Sequence, residues 1–502
     1  MAITRPEHIL AIDQGTTGTR VVIFNEHARR VTSTSVPLSP IVPHTGWQEQ
    51  NPLEIWGSTQ TAIADALINS GIRASEIKAI GIASQRETTM IWNRKTGQPI
   101  YNAISWASTQ SQGITSQLIA DGYAPIIRER SGLPTSPYFS ASKIRFILDH
   151  VPGAQADAEA GKLAFGTVDT WLTWQLSAGA SHVTDSSNAA RTMLFNIHTH
   201  DWDPDLLKIF NIPKALLPSI HNSSEVVAET SPLQFFGANI PIASLIGDQN
   251  ASLVGQLGLE RGNVKTTYGS GAFLMMNTGR QLVQSKHNLI STIAYEIDNQ
   301  PTYALDGAVF SAGSALQWLH DRMDLINNQV DAWHAADASQ DHDDIYVVPA
   351  FNGLGAPYWD PKARGAVLGL TLANDKNDLI KATLQSIAYS TSDILTTMAA
   401  DANITPKTLM ADGSVSRNPY LMQFQANIAN IHIDRAMDED ATALGAAFLA
   451  GLAIGYWPDL AAVRHYVLTG RQFEPKWDAK KREHLLAGWH AAIKATQVFG
   501  QA

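Results

Sequence analysis

The pentapeptide Ile246-Gly247-Asp248-Gln249-Asn250 closes an apolar run that begins at Pro241, and helical spacing starts at once through Leu253, Val254 and Leu257. Apolar run, glycine turn and 3.6-residue periodicity predict a strand, a tight turn and a helix, with Asp248 and Gln249 at the helix N-terminus. Asp248 then has two readings. A carboxylate there caps orphan N–H groups of the first turn. The same carboxylate, at the mouth of a strand-to-helix turn, is also placed to take a proton from a bound hydroxyl. Two further Gly/hydroxyl-rich turns, one far upstream and one just downstream, weight the second reading.

Upstream, the runs His8–Asp13 and Arg20–Phe24 flank Gln14-Gly15-Thr16-Thr17-Gly18-Thr19. This predicts a hairpin whose tip offers backbone N–H groups and hydroxyls to a phosphate chain, with Arg20 at its base; an ordinary hairpin fits the turn equally well. Asp13, beside that tip, suits a magnesium ion held through water. Downstream, Asn263–Tyr268, Gly269-Ser270-Gly271 and Ala272–Met276 repeat the arrangement. One such hairpin near the start of each half suggests a duplicated domain, closing over a nucleotide in the cleft between the copies.

Between these landmarks, Ala79–Ala83 and Met90–Trp92 read as strands, and Arg86 and Glu87 sit side by side in their connection. Each alone is by default a solvated ion-pair partner, yet together they supply the donor and acceptor that a small polyol needs. Trp106 leaves a short strand, Ala103–Trp106, where it either fills core or stacks on a carbon chain. Tyr138 precedes a helix through Lys143, Phe146 and Ile147, and Phe165–Trp174 runs from strand into helix before Asn188-Ala-Ala-Arg191. His198 and His200 alternate like ligands on a strand but lack a third, so a metal site is not expected. The acidic run Asp341–Asp344 lacks EF-hand spacing and reads as a solvated loop. Helices are expected from Gly313 through Gln317 and Trp318, over Leu379–Leu395, from Pro419 to Ile428 and over Glu483–Phe499. Met410–Ser414 ends a strand.

Length and composition bound the rest. At 502 residues the chain exceeds one ordinary core. With 44% hydrophobic and 16% charged residues it is globular, and a net charge of −10 argues against nucleic acid or anionic membrane as a main partner. The absence of cysteine excludes disulfides and thiolate zinc sites. The start runs into a strand with no signal-peptide core. The longest apolar stretch, Ala441–Trp457, is interrupted by Gly445, Gly451 and Gly455 and reads as a buried helix, so a cytoplasmic location is expected.

Taken in order, these pieces resemble the FGGY carbohydrate kinases over nearly the whole chain, most of all the members that act on glycerol. The motifs are Asp-Gln-Gly-Thr-Thr at 13–17, Gln-Arg-Glu-Thr-Thr at 85–89, Phe-Gly-Thr-Val-Asp-Thr-Trp at 165–171, Gly-Asp-Gln at 247–249, Tyr-Gly-Ser-Gly at 268–271 and Gly-Leu-Gly-Ala-Pro-Tyr-Trp-Asp-Pro at 353–361. The resemblance implies an α/β fold of two actin-like (ribonuclease H-like) domains, here 1–254 and 255–502, with a nucleotide cleft between them. It implies ATP and Mg²⁺, glycerol as the polyol, and a homodimer or homotetramer. By position it carries polyol binding to Arg86, Glu87, Trp106, Tyr138, Asp248, Gln249 and Phe273. Nucleotide binding goes to Thr16, Thr17, Gly18, Arg20, Ser270, Gly313, Gln317, Ser414 and Asn418. Asp248 becomes the general base, with Asp13 (on the magnesium side) and Arg20 beside it in the catalytic set.

Three departures from the resemblance stand out. The family's Gln-x-Arg after the substrate tryptophan is Ala107-Ser108-Thr109, and its Asp-Gly-Gly nucleotide loop is Asp412-Gly413-Ser414. The loop Ser231–Gly237 lacks the phosphorylatable histidine of some Gram-positive relatives. A kinase for another small polyol therefore stays open. A nucleotide-binding regulator without turnover is the remaining alternative.

Overall fold

The computed structural model describes residues 7–339, 343–437, 440–467 and 469–501, and the chain divides into two compact units. The first comprises Met1–Leu257, Ser291–Tyr303 and Asp440–Val467; the second comprises Gly258–Ile290, Ala304–Glu439 and Leu468–Ala502. Helices used below are α1 (Pro52–Ser70), α2 (Ser140–His150), α3 (Asp248–Gly255), α4 (Gly313–Asp321), α5 (Pro419–Ala429) and α6 (Ala441–Ala453).

The sheet of the first unit contains β1 (His8–Gly15), β2 (Gly18–Phe24), β3 (Arg30–Pro37), β4 (Ile77–Ser84), β5 (Ser224–Glu229) and β6 (Pro241–Gly247), in the order β5-β6-β4-β1-β2-β3. β1 and β4 are buried along nearly their whole length, as near-continuous apolar strands covered on both faces should be. One cover is α1 and the other is α6, whose Ala443, Ala446, Ala447, Phe448 and Leu449 are all buried. β1, β4 and β6 run parallel, with Asp13 level with Ala83 and Ile246 level with Ala83. Their carboxyl ends therefore lie along one edge, where ligands of α/β sheets bind. The short strand Met90–Asn93 pairs with Leu163–Gly166, outside this sheet.

The second unit contains β7 (Val264–Tyr268), β8 (Ala272–Gly279), β9 (Gln300–Val309) from Ala304 onward, β10 (Thr408–Asp412), β11 (His432–Ala436) and β12 (Thr469–Phe473), ordered β9-β8-β7-β10-β11-β12. β7 and β8 form a hairpin, and β10 runs parallel to β7 with Thr267 level with Asp412. A hairpin flanked by a parallel strand is thus repeated from the first unit, and the duplication read from the two Gly-rich turns is present in the topology. The core is a large apolar cluster that includes Tyr268, Tyr389, Phe424 and Trp489.

Some sequence expectations meet detail here. Ala103–Trp106 is paired only at Ala103 and Ile104, because Ser105 donates its N–H to the Gln48 carbonyl and Trp106 turns away. His198 Nε2 lies 3.0 Å from the Glu129 carbonyl and His200 Nε2 lies 2.8 Å from the Tyr303 hydroxyl. Of the acidic run, Asp341 and His342 lie outside the described residues, and Asp343 pairs with Lys381 at 2.9 Å and Lys481 at 3.2 Å. Among the described residues no helix is long and apolar enough to cross a membrane.

Candidate active site

Asp248 is the first residue of α3, directly after β6. Gly247 precedes it because a side chain there would press on Arg86: a Cβ would lie 2.8 Å from the Arg86 Cδ. The Arg86 guanidinium can therefore lie across the turn, with Nε 3.5 Å from Asp248 Oδ1. Its NH1 reaches Asn250 Oδ1 at 3.4 Å, and Asn250 is pinned by donating to the carbonyls of Ile293 and Ala294. Asp248 Oδ1 also accepts the Gln249 N–H at 2.7 Å, while its side chain keeps 25% exposure. Its Oδ2 accepts from Gln249 Nε2 at 3.2 Å, so both carboxylate oxygens are oriented while the side chain stays partly exposed.

Glu87 and Arg191 form a buried ion pair at 2.5 Å, and the Arg191 guanidinium lies over the rings of Tyr138 and Phe139. Trp106 meets Tyr138 edge-on with ring centroids 5.8 Å apart, and its Nε1 donates to Thr16 Oγ1 at 2.8 Å. Arg86, Glu87, Trp106, Tyr138, Asp248 and Gln249 all belong to the first unit, as do Asp13 and the Thr16–Gly18 turn; Phe273, on β8, belongs to the second. Sequence reading missed Lys143, Arg191 and Asp185. The signal for Lys143 was a cation beside the apolar positions Ile144, Phe146 and Ile147 of α2; Asp185 and Arg191 gave none, because their partners are distant in sequence. Asp185 is buried, and burial pushes its carboxyl up. It caps the short helix Ser186–Ala189 and so places Ser187, whose Oγ accepts the Gly247 N–H at 3.0 Å.

At the first hairpin Asp13 is level with Arg20 on β2. Arg20 Nε donates to Ser33 Oγ at 2.9 Å, and its guanidinium pairs with Asp440 at the start of α6, which also holds Arg30 at 2.6 Å. Strand spacing of about 4.8 Å sets the Cα atoms of Asp13 and Ile246, two strands apart, roughly 10 Å from each other. After Trp106, Ala107 and Thr109 are exposed; the Thr109 N–H and Oγ1 both donate to the Gly46 carbonyl at 2.9 Å.

The second unit holds a cavity of about 370 Å³ lined by Gly269, Ser270, Gly313, Gln317, Ser414 and Val415, among others. Its size falls in the range of small-molecule sites. Gly313 lets the N-terminus of α4 sit on the hairpin turn: its N–H donates to the Gly269 carbonyl at 2.9 Å, and a Cβ would stand 2.6 Å from that oxygen. The positive end of α4 accordingly faces the turn, as suits an anion. Gly413 takes a φ of 87° that other residues rarely adopt, and turns the exposed Ser414 into the cavity wall. Asn418 caps α5 through its Oδ1, and its buried Nδ2 has no partner among the described residues.

Residues 8–255 match the N-terminal domain, and residues 264–454 the C-terminal domain, of the FGGY family of carbohydrate kinases. The chain belongs to this FGGY family. It is 51% identical over 499 residues to glycerol kinase of Streptococcus gordonii, covering 99% of each chain. It is 51% identical over 493 residues to glycerol kinase of Lactobacillus delbrueckii subsp. bulgaricus, covering 98% of each. Among solved structures, Plasmodium falciparum glycerol kinase with ADP superposes with a TM-score of 0.91 at 33% identity, over 98% of both chains. Gluconate kinase from Lactobacillus acidophilus, at 22% identity and a TM-score of 0.87, shares the FGGY fold.

Proposed function

We propose that this FGGY chain transfers the γ-phosphoryl group of ATP to glycerol, giving sn-glycerol 3-phosphate. The observation that carries the proposal is Asp248, a half-open carboxylate braced by Arg86 at the carboxyl ends of adjacent parallel strands, in a chain half identical to glycerol kinases over its full length.

In this reading Arg86, Glu87, Tyr138 and Gln249 hold the polyol hydroxyls, and Trp106 and Phe273 wall its carbon side. Asp248 Oδ accepts the proton of the attacking hydroxyl as that oxygen moves onto phosphorus in line with the leaving oxygen of ADP. Thr16, Thr17 and Gly18 of the first hairpin, with Ser270, Gly313 and Gln317 of the second unit, hold the nucleotide; Ser414 and Asn418 lie on its adenosine side. Arg20 offsets phosphate charge. The described residues contain no group of three metal-type ligands. A magnesium ion, which would neutralise charge on the phosphates, would be held on the Asp13 side through water, with phosphate oxygens and solvent as its other partners. In this reading 1–254 carries the polyol site and first hairpin and 255–502 the second hairpin and adenosine site, although Ser291–Tyr303 and Asp440–Val467 pack within the first unit. A cytoplasmic homodimer or homotetramer belongs to the same proposal.

The sequence Trp106-Ala107-Ser108-Thr109 supports a second reading, a preference for another small polyol. Coupled measurement of ADP release over a polyol panel separates the two. Highest kcat/KM on glycerol supports the first; a higher value on another polyol replaces it, and no ADP release on any polyol favours a nucleotide-binding regulator.

A further inference from the structure

The backbone at Glu87 is held in a rare shape. The Thr88 N–H donates to the Arg86 carbonyl at 2.8 Å across a Glu87 whose φ is 61°. This is a three-residue turn of the strained, left-handed kind, which a non-glycine residue keeps only where its surroundings over-determine it. Three side chains do so here. The Glu87 carbonyl accepts from Thr89 Oγ1 at 3.0 Å, Ser140 Oγ at 3.1 Å and Lys143 Nζ at 3.3 Å. Lys143 also donates to the Tyr138 carbonyl at 2.5 Å.

Lys143 is fully buried, and among the described residues its hydrogen bonds go to carbonyls rather than to a carboxylate, which is unusual for a lysine. Burial pushes its ammonium down to about 7, and the Glu87 carboxylate draws it back up. Packing alone would be served by a methionine at no desolvation cost. What an ammonium adds is several donors on one atom, and here two of them tie together the main chains of Glu87 and Tyr138.

We propose that Lys143 is a positioning residue of the polyol site: by locking the Glu87 turn to the Tyr138 carbonyl it makes Arg86, Glu87 and Tyr138 one preformed surface for substrate hydroxyls. The inference rests on the reading of those three as polyol-binding. Two variants test it. Lys143→Met keeps the volume and removes the donors, and Ser140→Ala removes one neutral donor to the same carbonyl with little risk to folding. The KM for the polyol should rise at least roughly tenfold in Lys143→Met and about threefold in Ser140→Ala, as expected for losing a charged and a neutral hydrogen bond. The KM for ATP should stay within about twofold. A merely structural lysine would lower the melting temperature and the active fraction and leave the polyol KM alone. If the parent enzyme turns over a polyol other than glycerol, the glycerol reading falls and the same ratios are taken on that polyol. A crystal structure of Lys143→Met reads the geometry without any activity, and Glu87 is expected to leave positive φ. Polyol KM values within twofold of the parent in both variants, or an unchanged Glu87 turn in the Lys143→Met crystal, would overturn the proposal.

Discussion

The crossing of α3 and α6 in the first unit makes Gly445→Ala a demanding test of how Asp248 is placed. In an isolated helix this substitution stabilises by about 1 kcal/mol, since alanine is the better helix former. Here a Cβ on Gly445 would stand 1.9 Å from the Ala251 carbonyl oxygen and 2.9 Å from the Gly255 nitrogen. Ordinary contact requires the helices to part by about 1.5 Å. Overpacking of that kind costs ~1–3 kcal/mol, enough to turn the expected gain into a net loss. Ala251 lies one turn beyond Asp248 on the same short helix, so the proposed base moves with it. A displacement near 1 Å at a reacting group costs on the order of 10²-fold in turnover. Thermal unfolding and kcat on glycerol should both fall, while ADP affinity, which the proposed reading assigns largely to the second-unit cavity, stays within about twofold. A Gly445→Ala protein that melts higher and turns over at the parental rate would refute the reasoning.

Three further outcomes are expected. Asp248→Asn should lose roughly 10²–10⁴-fold in turnover, the usual worth of a general base, while calorimetry still detects glycerol binding; near-normal turnover removes the assignment. Ala107→Gln with Thr109→Arg restores the cation that the family resemblance implies near the proposed site, where one such donor is worth ~2.7–4 kcal/mol, so glycerol turnover should rise with little change in apparent affinity. A double variant no faster than the parent shows that charge there is supplied otherwise. His182, whose Nε2 lies 2.7 Å from the Phe165 carbonyl, is held down to about 4 by burial. Its folded pKa lies below the unfolded one of about 6.5, so its share of stability is whole above that pH and is lost as pH falls through about 4, at up to ~1.4 kcal/mol per pH unit. Urea unfolding across that window should show the slope, and His182→Gln should flatten it.

Local features were the legible part of the sequence. The end of β6 and the start of α3 fall where the apolar run and helical spacing put them, at Gly247 and Asp248. The two hairpins, α5, and the helix over Leu379–Leu395, which extends from Lys376 to Ala402, were also evident in their periodicity. Long-range partners were not. That Arg86 needs the missing side chain of Gly247, that Arg191 neutralises Glu87, and that Arg20 shares Asp440 with Arg30 all join segments far apart in sequence. Lys143 looked like one charge among apolar neighbours, because a motif records side chains and not which main-chain carbonyls a distant donor reaches.

The position of α6 has a consequence for how the protein is made. A helix that begins at residue 441 covers β4 and β1, with Gly81 fitted so closely that a Cβ there would lie 2.3 Å from the Ala446 carbonyl oxygen, and Ser224 Oγ donating to the Leu449 carbonyl at 2.8 Å. On the ribosome, therefore, the first 257 residues emerge with one face of their sheet bare, and they wait while the next 180 or so are synthesised. During that interval the apolar faces of β1, β4 and β6 are open to chaperones and to other nascent chains. Slowing translation between residues 258 and 439 should lengthen this exposure, and an N-terminal fragment cut at Leu257 should be recovered in the insoluble fraction unless a peptide spanning Asp440–Val467 is supplied with it.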